Sequence, residues 1–74
     1  MNKKQSAQLM RAVRKSLGLT QEKMAARLGV SFPTINRWEN GRSQPSPLAL
    51  QRIEQILEEM GKDGKALKKR FFPA

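Results

Sequence analysis

Residues 21–41, QEKMAARLGVSFPTINRWENG, constrain this chain more than any other stretch. They read as two short helices held at a fixed angle, with one polar face left free. With Gln21 as the first place of a twenty-residue unit, Ala25 falls at the fifth place, Gly29 at the ninth, Val30 at the tenth, Ile35 at the fifteenth and Trp38 at the eighteenth. A small residue at 25 lets the second helix approach closely, and Gly29 can take the positive φ that a sharp turn demands. Ile35 and Trp38 are expected to pack inward. This is the spacing of a helix-turn-helix.

Seventy-four residues make one small domain, and such a core is marginal unless its helices pack well or a metal, disulfide or partner contributes. Cysteine and histidine are both absent. Thiolate and imidazole metal sites are therefore excluded along with disulfides, and nucleophilic catalysis by Cys or by a Ser/His pair loses its essential members. An enzyme is not expected, nor is a cofactor. Of the six carboxylates, Glu54, Glu58 and Glu59 read as the solvated face of a helix.

Fifteen Lys and Arg against six Asp and Glu leave a formal charge of +9, which favours a polyanion as partner, nucleic acid first. No stretch approaches the roughly 20 apolar residues of a membrane span, and the N-terminal MNKKQSAQL lacks the apolar centre of a secretory signal. A cytoplasmic location without membrane contact is expected.

Along the chain, residues 1–4 read as a short basic leader, either frayed or a DNA arm. Over residues 5–17, Leu9, Met10, Val13 and Leu17 share one helical face while Arg11 and Lys15 face water, and Gly18 closes the helix. Thr20 caps the second helix, Leu19 and Met24 stand in hydrophobic-staple positions, and Met24, Ala25 and Leu28 line its buried side. Ser31 caps the third, where Pro33 is tolerated in the first turn. That helix is expected to run to Asn40 and stop at Gly41. With Ile35 and Trp38 inside at about 100° per residue, Pro33, Asn36, Arg37 and Asn40 point outward.

After the polar loop RSQPS, Leu50, Ile53, Leu57 and Met60 give a fourth amphipathic helix ended by Gly61. Leu48 and Ile56 lie off its stripe, open to the core or to a second subunit. Residues 62–74, KDGKALKKRFFPA, contain Gly64 and Pro73 and show no sustained apolar face. They read as a mobile basic tail or a short docked helix carrying Phe71 or Phe72.

The stretch LGLTQEKMAARLGVSFPTINRWENG resembles the phage-repressor and Cro type of helix-turn-helix, often called the XRE family, and the likeness covers roughly residues 9–57. The resemblance implies an all-α fold, a small four- or five-helix lambda-repressor-like DNA-binding domain over residues 1–61. Its helix-turn-helix spans 21–40, and 62–74 follow as a basic C-terminal tail or short helix. Double-stranded DNA is then the partner. Gln21 is implied as the first phosphate contact, with Ser31, Asn40 and Arg42 at other phosphate-facing positions. The resemblance also implies a partly buried structural ion pair between Arg14 and Glu39.

For base reading, Arg37 is the sharpest candidate, because a guanidinium on a major-groove helix can donate two bonds to guanine O6 and N7. A phosphate contact is its blander alternative. Asn36 is open between addressing adenine and facing solvent. Many phage repressors place Gln where this chain has Phe32 and Pro33, so readout there is apolar contact with a thymine methyl or recognition of shape. Phe32 tucked against the second helix is the other reading.

Three functions compete. The leading one is a sequence-specific transcriptional regulator, a repressor on a two-fold operator bound as a homodimer. The second is an antitoxin-like protein that binds a toxin partner, for which the FF-containing tail leaves room, and autoregulates through the same motif. A nonspecific RNA or DNA binder comes third and lacks exposed stacking aromatics.

Overall fold

The computed structural model describes residues 1–73, which form five helices. They are α1 (Lys3–Leu17), α2 (Gln21–Leu28), α3 (Phe32–Glu39), α4 (Pro47–Glu59) and α5 (Lys62–Phe71). α1 packs against α3 and α5, α2 against α3 and α4, and α4 against α5. This is an all-α, lambda-repressor-like arrangement. One core joins Leu9, Met10 and Val13 of α1, Met24, Ala25 and Leu28 of α2, Ile35 and Trp38 of α3, and Ala49, Ile53, Ile56 and Leu57 of α4.

The helix-turn-helix is built as its local sequence dictates. Thr20 Oγ1 accepts the Lys23 amide at 3.2 Å and opens α2. Gly29 closes α2 at φ 72°, and its amide donates back to Ala25 and Ala26 carbonyls. Val30 N–H donates to Ala25 at 2.9 Å, completing the turn. Ser31 Oγ then accepts the Thr34 amide at 3.3 Å, and Pro33 lies in the first turn of α3. α3 ends at Glu39, with Asn40 as its cap and Gly41 at φ 71° beyond.

Three expectations need correction. The leader is not frayed: Asn2 Oδ1 accepts the Gln5 amide at 2.8 Å and Gln5 Oε1 accepts the Asn2 amide at 2.9 Å, a reciprocal capping box that starts α1 at Lys3. Arg11 does not simply face water, because its guanidinium donates to the Glu39 carbonyl at the end of α3. Of the two positions left open, Ile56 joins the core, whereas Leu48 is 59% exposed.

The third concerns residues 62–71, which form α5 and do carry an apolar face. Leu67, Phe71 and Phe72 pack against the core, and Gly64 is buried. A Cβ on Gly64 would lie 1.7 Å from the Leu57 carbonyl oxygen. The missing side chain is what lets α5 cross the end of α4 so closely.

Candidate nucleic-acid interface

α3 presents a clean division between inside and outside. Ile35 is fully buried and Trp38 nearly so, while Phe32, Pro33, Arg37 and Asn40 are exposed. Phe32 is 45% exposed, so its ring is partly in solvent and not fully tucked against α2. Arg37 takes part in neither of the two ion pairs among the described residues. Its guanidinium meets Thr34 of the same helix, whose Oγ1 lies 3.5 Å from Nη2. At that separation the contact steers the guanidinium without occupying it.

Beneath this face, a chain of polar side chains ties three helices together. Glu39 is buried at 2% exposure. Its carboxylate accepts from Arg14 Nε at 2.8 Å and from Arg14 Nη2 at 3.0 Å, a two-point grip from α1 onto α3. Arg14 Nη1 also donates to the Leu19 carbonyl at 3.1 Å, so the same guanidinium holds the loop before α2. The hydrogen bond to Glu39, reinforced by its charge, raises the Arg14 pKa above its already high ordinary value, with burial opposing.

Gln21 at the start of α2 joins this network. Its Nε2 donates to Glu39 Oε1 at 3.1 Å and its Oε1 accepts from Asn36 Nδ2 at 3.2 Å. Asn36 Oδ1 in turn accepts from Asn40 Nδ2 at 3.0 Å. The chain Arg14, Glu39, Gln21, Asn36, Asn40 therefore runs from α1 through the start of α2 to the end of α3. No buried side-chain nitrogen or oxygen among the described residues is left without a partner.

The sequence-derived candidates fall into three groups. Gln21, Asn36 and Asn40 come together with Arg14 and Glu39 in the network. Phe32, Pro33 and Arg37 lie on the exposed side of α3, outside it. Ser31 and Arg42 flank α3 at its two ends; both are exposed, and the Arg42 amide donates to the Arg37 carbonyl at 3.0 Å.

Sequence reasoning missed Thr34, Arg11 and Arg52. Arg52 Nη1 reaches from α4 to the Leu28 carbonyl at 2.9 Å, closing the end of α2 beside the turn. Arg11 stands three residues before Arg14 on one helical face, a spacing that could have flagged it. Next to it a groove of about 540 Å³ is lined by Lys3, Lys4, Gln8 and Arg11 of α1 and by Asn40 and Gly41. Positive charge thus continues past the end of α3.

A family model described as helix-turn-helix matches residues 10–59. The chain belongs to that helix-turn-helix family, of the XRE and Cro type. It is a DNA-binding domain and not an enzyme. An uncharacterized HTH-type transcriptional regulator of Methanothermobacter thermautotrophicus is 49% identical over 49 residues, covering 66% of this chain and 71% of the relative. Uncharacterized HTH-type transcriptional regulators of Sinorhizobium medicae and Rhizobium meliloti are each 40% identical over 48 residues, 65% of this chain but only 34% of theirs. No solved structure matches the chain significantly. Among the described residues, no helix is long and apolar enough to cross a membrane and no acidic, Cys or His group is placed to hold a metal.

Proposed function

We propose that this protein is a sequence-specific transcriptional regulator, a repressor, that reads the major groove of double-stranded DNA with α3. The observation that carries the reading is the exposed Arg37 on the outer face of a helix whose inner face is anchored by Trp38 and Glu39. A rigid helix with a free guanidinium can offer two parallel N–H donors to guanine O6 and N7. Pro33 and the exposed part of Phe32 supply apolar surface for a thymine methyl.

Phosphate contacts surround this reading face. Gln21 and Asn40 each use one amide N–H inside the protein, and an amide nitrogen carries two. The second N–H of each is available to a phosphate oxygen. The exposed Ser31 and Arg42 add a hydroxyl and a charge at the two ends of α3. One module of this size presents a small interface, so a homodimer on half-sites about 34 Å apart is the arrangement that gives it affinity.

The antitoxin-like alternative drew on the two phenylalanines near the C-terminus. Both are half-buried against the protein's own core, and the Arg70 guanidinium sits 4.8 Å from the Phe71 ring centroid. That internal use favours the regulator reading over a toxin partner. Selection from a random duplex library tests it: the wild type enriches one motif, and Arg37→Ala relaxes a single position of it. A wild type that enriches no sequence rejects the proposal.

A further inference from the structure

Asn36 lies on the outer half of the reading helix, where a side-chain amide is well suited to adenine N6 and N7. Its surroundings assign it other work. One N–H is given to Gln21 Oε1 at 3.2 Å and one lone pair to Asn40 Nδ2 at 3.0 Å. The amide is thereby held at both ends, and it is partly covered where Arg37 beside it is exposed. Turning it toward a base edge breaks both bonds together. It also frees the side chains of Gln21 and Asn40, leaving the first held by Glu39 alone and the second by no side-chain hydrogen bond.

We infer that Asn36 is a positioning residue rather than a base reader: it clamps Gln21 and Asn40, the phosphate-facing amides at the start of α2 and the end of α3, in one fixed geometry. The inference rests on the proposed DNA-binding reading and deepens it. The two amides come from different helices, yet the backbone of a duplex sets its phosphates at fixed intervals. Holding the amides in register before binding removes the cost of ordering them on contact. Glu39 and Arg14 provide the fixed end of the chain, since their carboxylate and guanidinium are joined at two points. A consequence for specificity follows: base discrimination in the middle of α3 falls on Arg37, and Thr34 is the side chain that steers it.

The test uses the full chain and the duplex motif that the wild type selects. Asn36→Ala, Gln21→Ala, Asn40→Ala and the doubles Asn36→Ala with each of the others are compared well below their melting temperatures. Alanine is a good helix former at position 36, and circular dichroism verifies that each variant is folded. Asn36→Ala is expected to select the same motif as wild type, to bind every sequence roughly 3- to 10-fold more weakly, and to keep the wild-type salt slope because no charge is lost. The doubles are expected to lose less than the product of the single losses, since both changes break one shared arrangement. A purely structural residue would lower the melting temperature without this coupling in affinity.

Relaxation of one base position by Asn36→Ala makes it a reader and overturns the inference. So do losses that multiply independently, or an affinity equal to wild type. If the wild type enriches no motif, the DNA-reading proposal itself has failed, an outcome distinct from the other three.

Discussion

Arg14 of α1 and Glu39 of α3 meet through two donor–acceptor contacts, at 2.8 and 3.0 Å, with the carboxylate side chain 3% exposed and the guanidinium side chain 20% exposed. The pair sets α3 against the rest of the molecule. An exposed ion pair contributes less than about 1 kcal/mol, whereas removing one member of a buried pair costs roughly 3 to 5 because the other is left uncompensated.

The partial exposure of Arg14 places this pair between the two cases, at about 2 kcal/mol. Arg14→Ala is expected to be the more damaging change, as it strands a buried carboxylate that only Gln21 still contacts. Glu39→Ala leaves a guanidinium that can reach water. In a domain of this size about 1 kcal/mol moves the melting temperature by roughly 4 to 8 °C. Thermal unfolding followed by circular dichroism should therefore show losses on the order of 10 °C, larger for Arg14→Ala. A Glu39→Ala melt within a degree of wild type would remove the pair's structural role.

The pH dependence follows from the same contact. Arg14 is held above its ordinary value by Glu39, and a raised basic group contributes stability that is complete below its unfolded pKa and is lost only above its folded one. The Arg14 side of the pair therefore adds no slope through the neutral and moderately alkaline range. Lys68 is likewise raised, by its hydrogen bond to and the charge of Glu58, so its small contribution fades only above its ordinary value of 10.5. With histidine absent from the sequence, melting temperature is expected to be flat around neutrality. A sharp unfolding step there contradicts this account.

Arg37 and Arg42 should separate two kinds of contact. Arg37→Ala is expected to relax one position of the selected motif, with discrimination there falling by about 1 to 3 kcal/mol. Arg42→Ala should weaken all sequences alike and reduce the salt slope by about 1. Binding isotherms at several salt concentrations, on the selected site and on single-base variants of it, distinguish the two. Identical behaviour of the two variants makes Arg37 another phosphate contact.

The parts of this molecule that were legible in the sequence are those set by short-range rules. Thr20 and Gly29, Ser31 and Pro33, and the inward pair Ile35 and Trp38 fix α2, the turn and α3 from neighbours within a few residues. Asn2 obeys such a rule too, but its capping box with Gln5 was overshadowed by the basic residues around it. The network through Gln21 and Asn36 was not readable. It depends on three helices converging, with partners from different helices 15 to 25 residues apart, and no local pattern specifies which amide meets which. α5 was obscured for the opposite reason. Gly64 has poor helix propensity and reads as a breaker, while its true reason lies in Leu57 of another helix.

Gly64 supplies the last test. A Cβ there meets the Leu57 carbonyl oxygen at 1.7 Å and its carbon at 2.7 Å, both backbone atoms of α4 that no rotamer change can move aside. In an exposed helix, Gly→Ala stabilises by up to about 1 kcal/mol through propensity. At this position the steric term opposes propensity and exceeds it, because overpacking typically costs about 1 to 3 kcal/mol. Gly64→Ala is thus expected to be destabilising, with α5 pushed away from α4 and Leu67 and Phe71 drawn off the core. Urea unfolding should show a lower midpoint, and hydrogen exchange should show α5 amides losing protection before those of α2 and α3. DNA selection by the same variant should return the wild-type motif, since α5 supplies none of the proposed contacts. A Gly64→Ala protein more stable than wild type rules out the close crossing of α4 and α5.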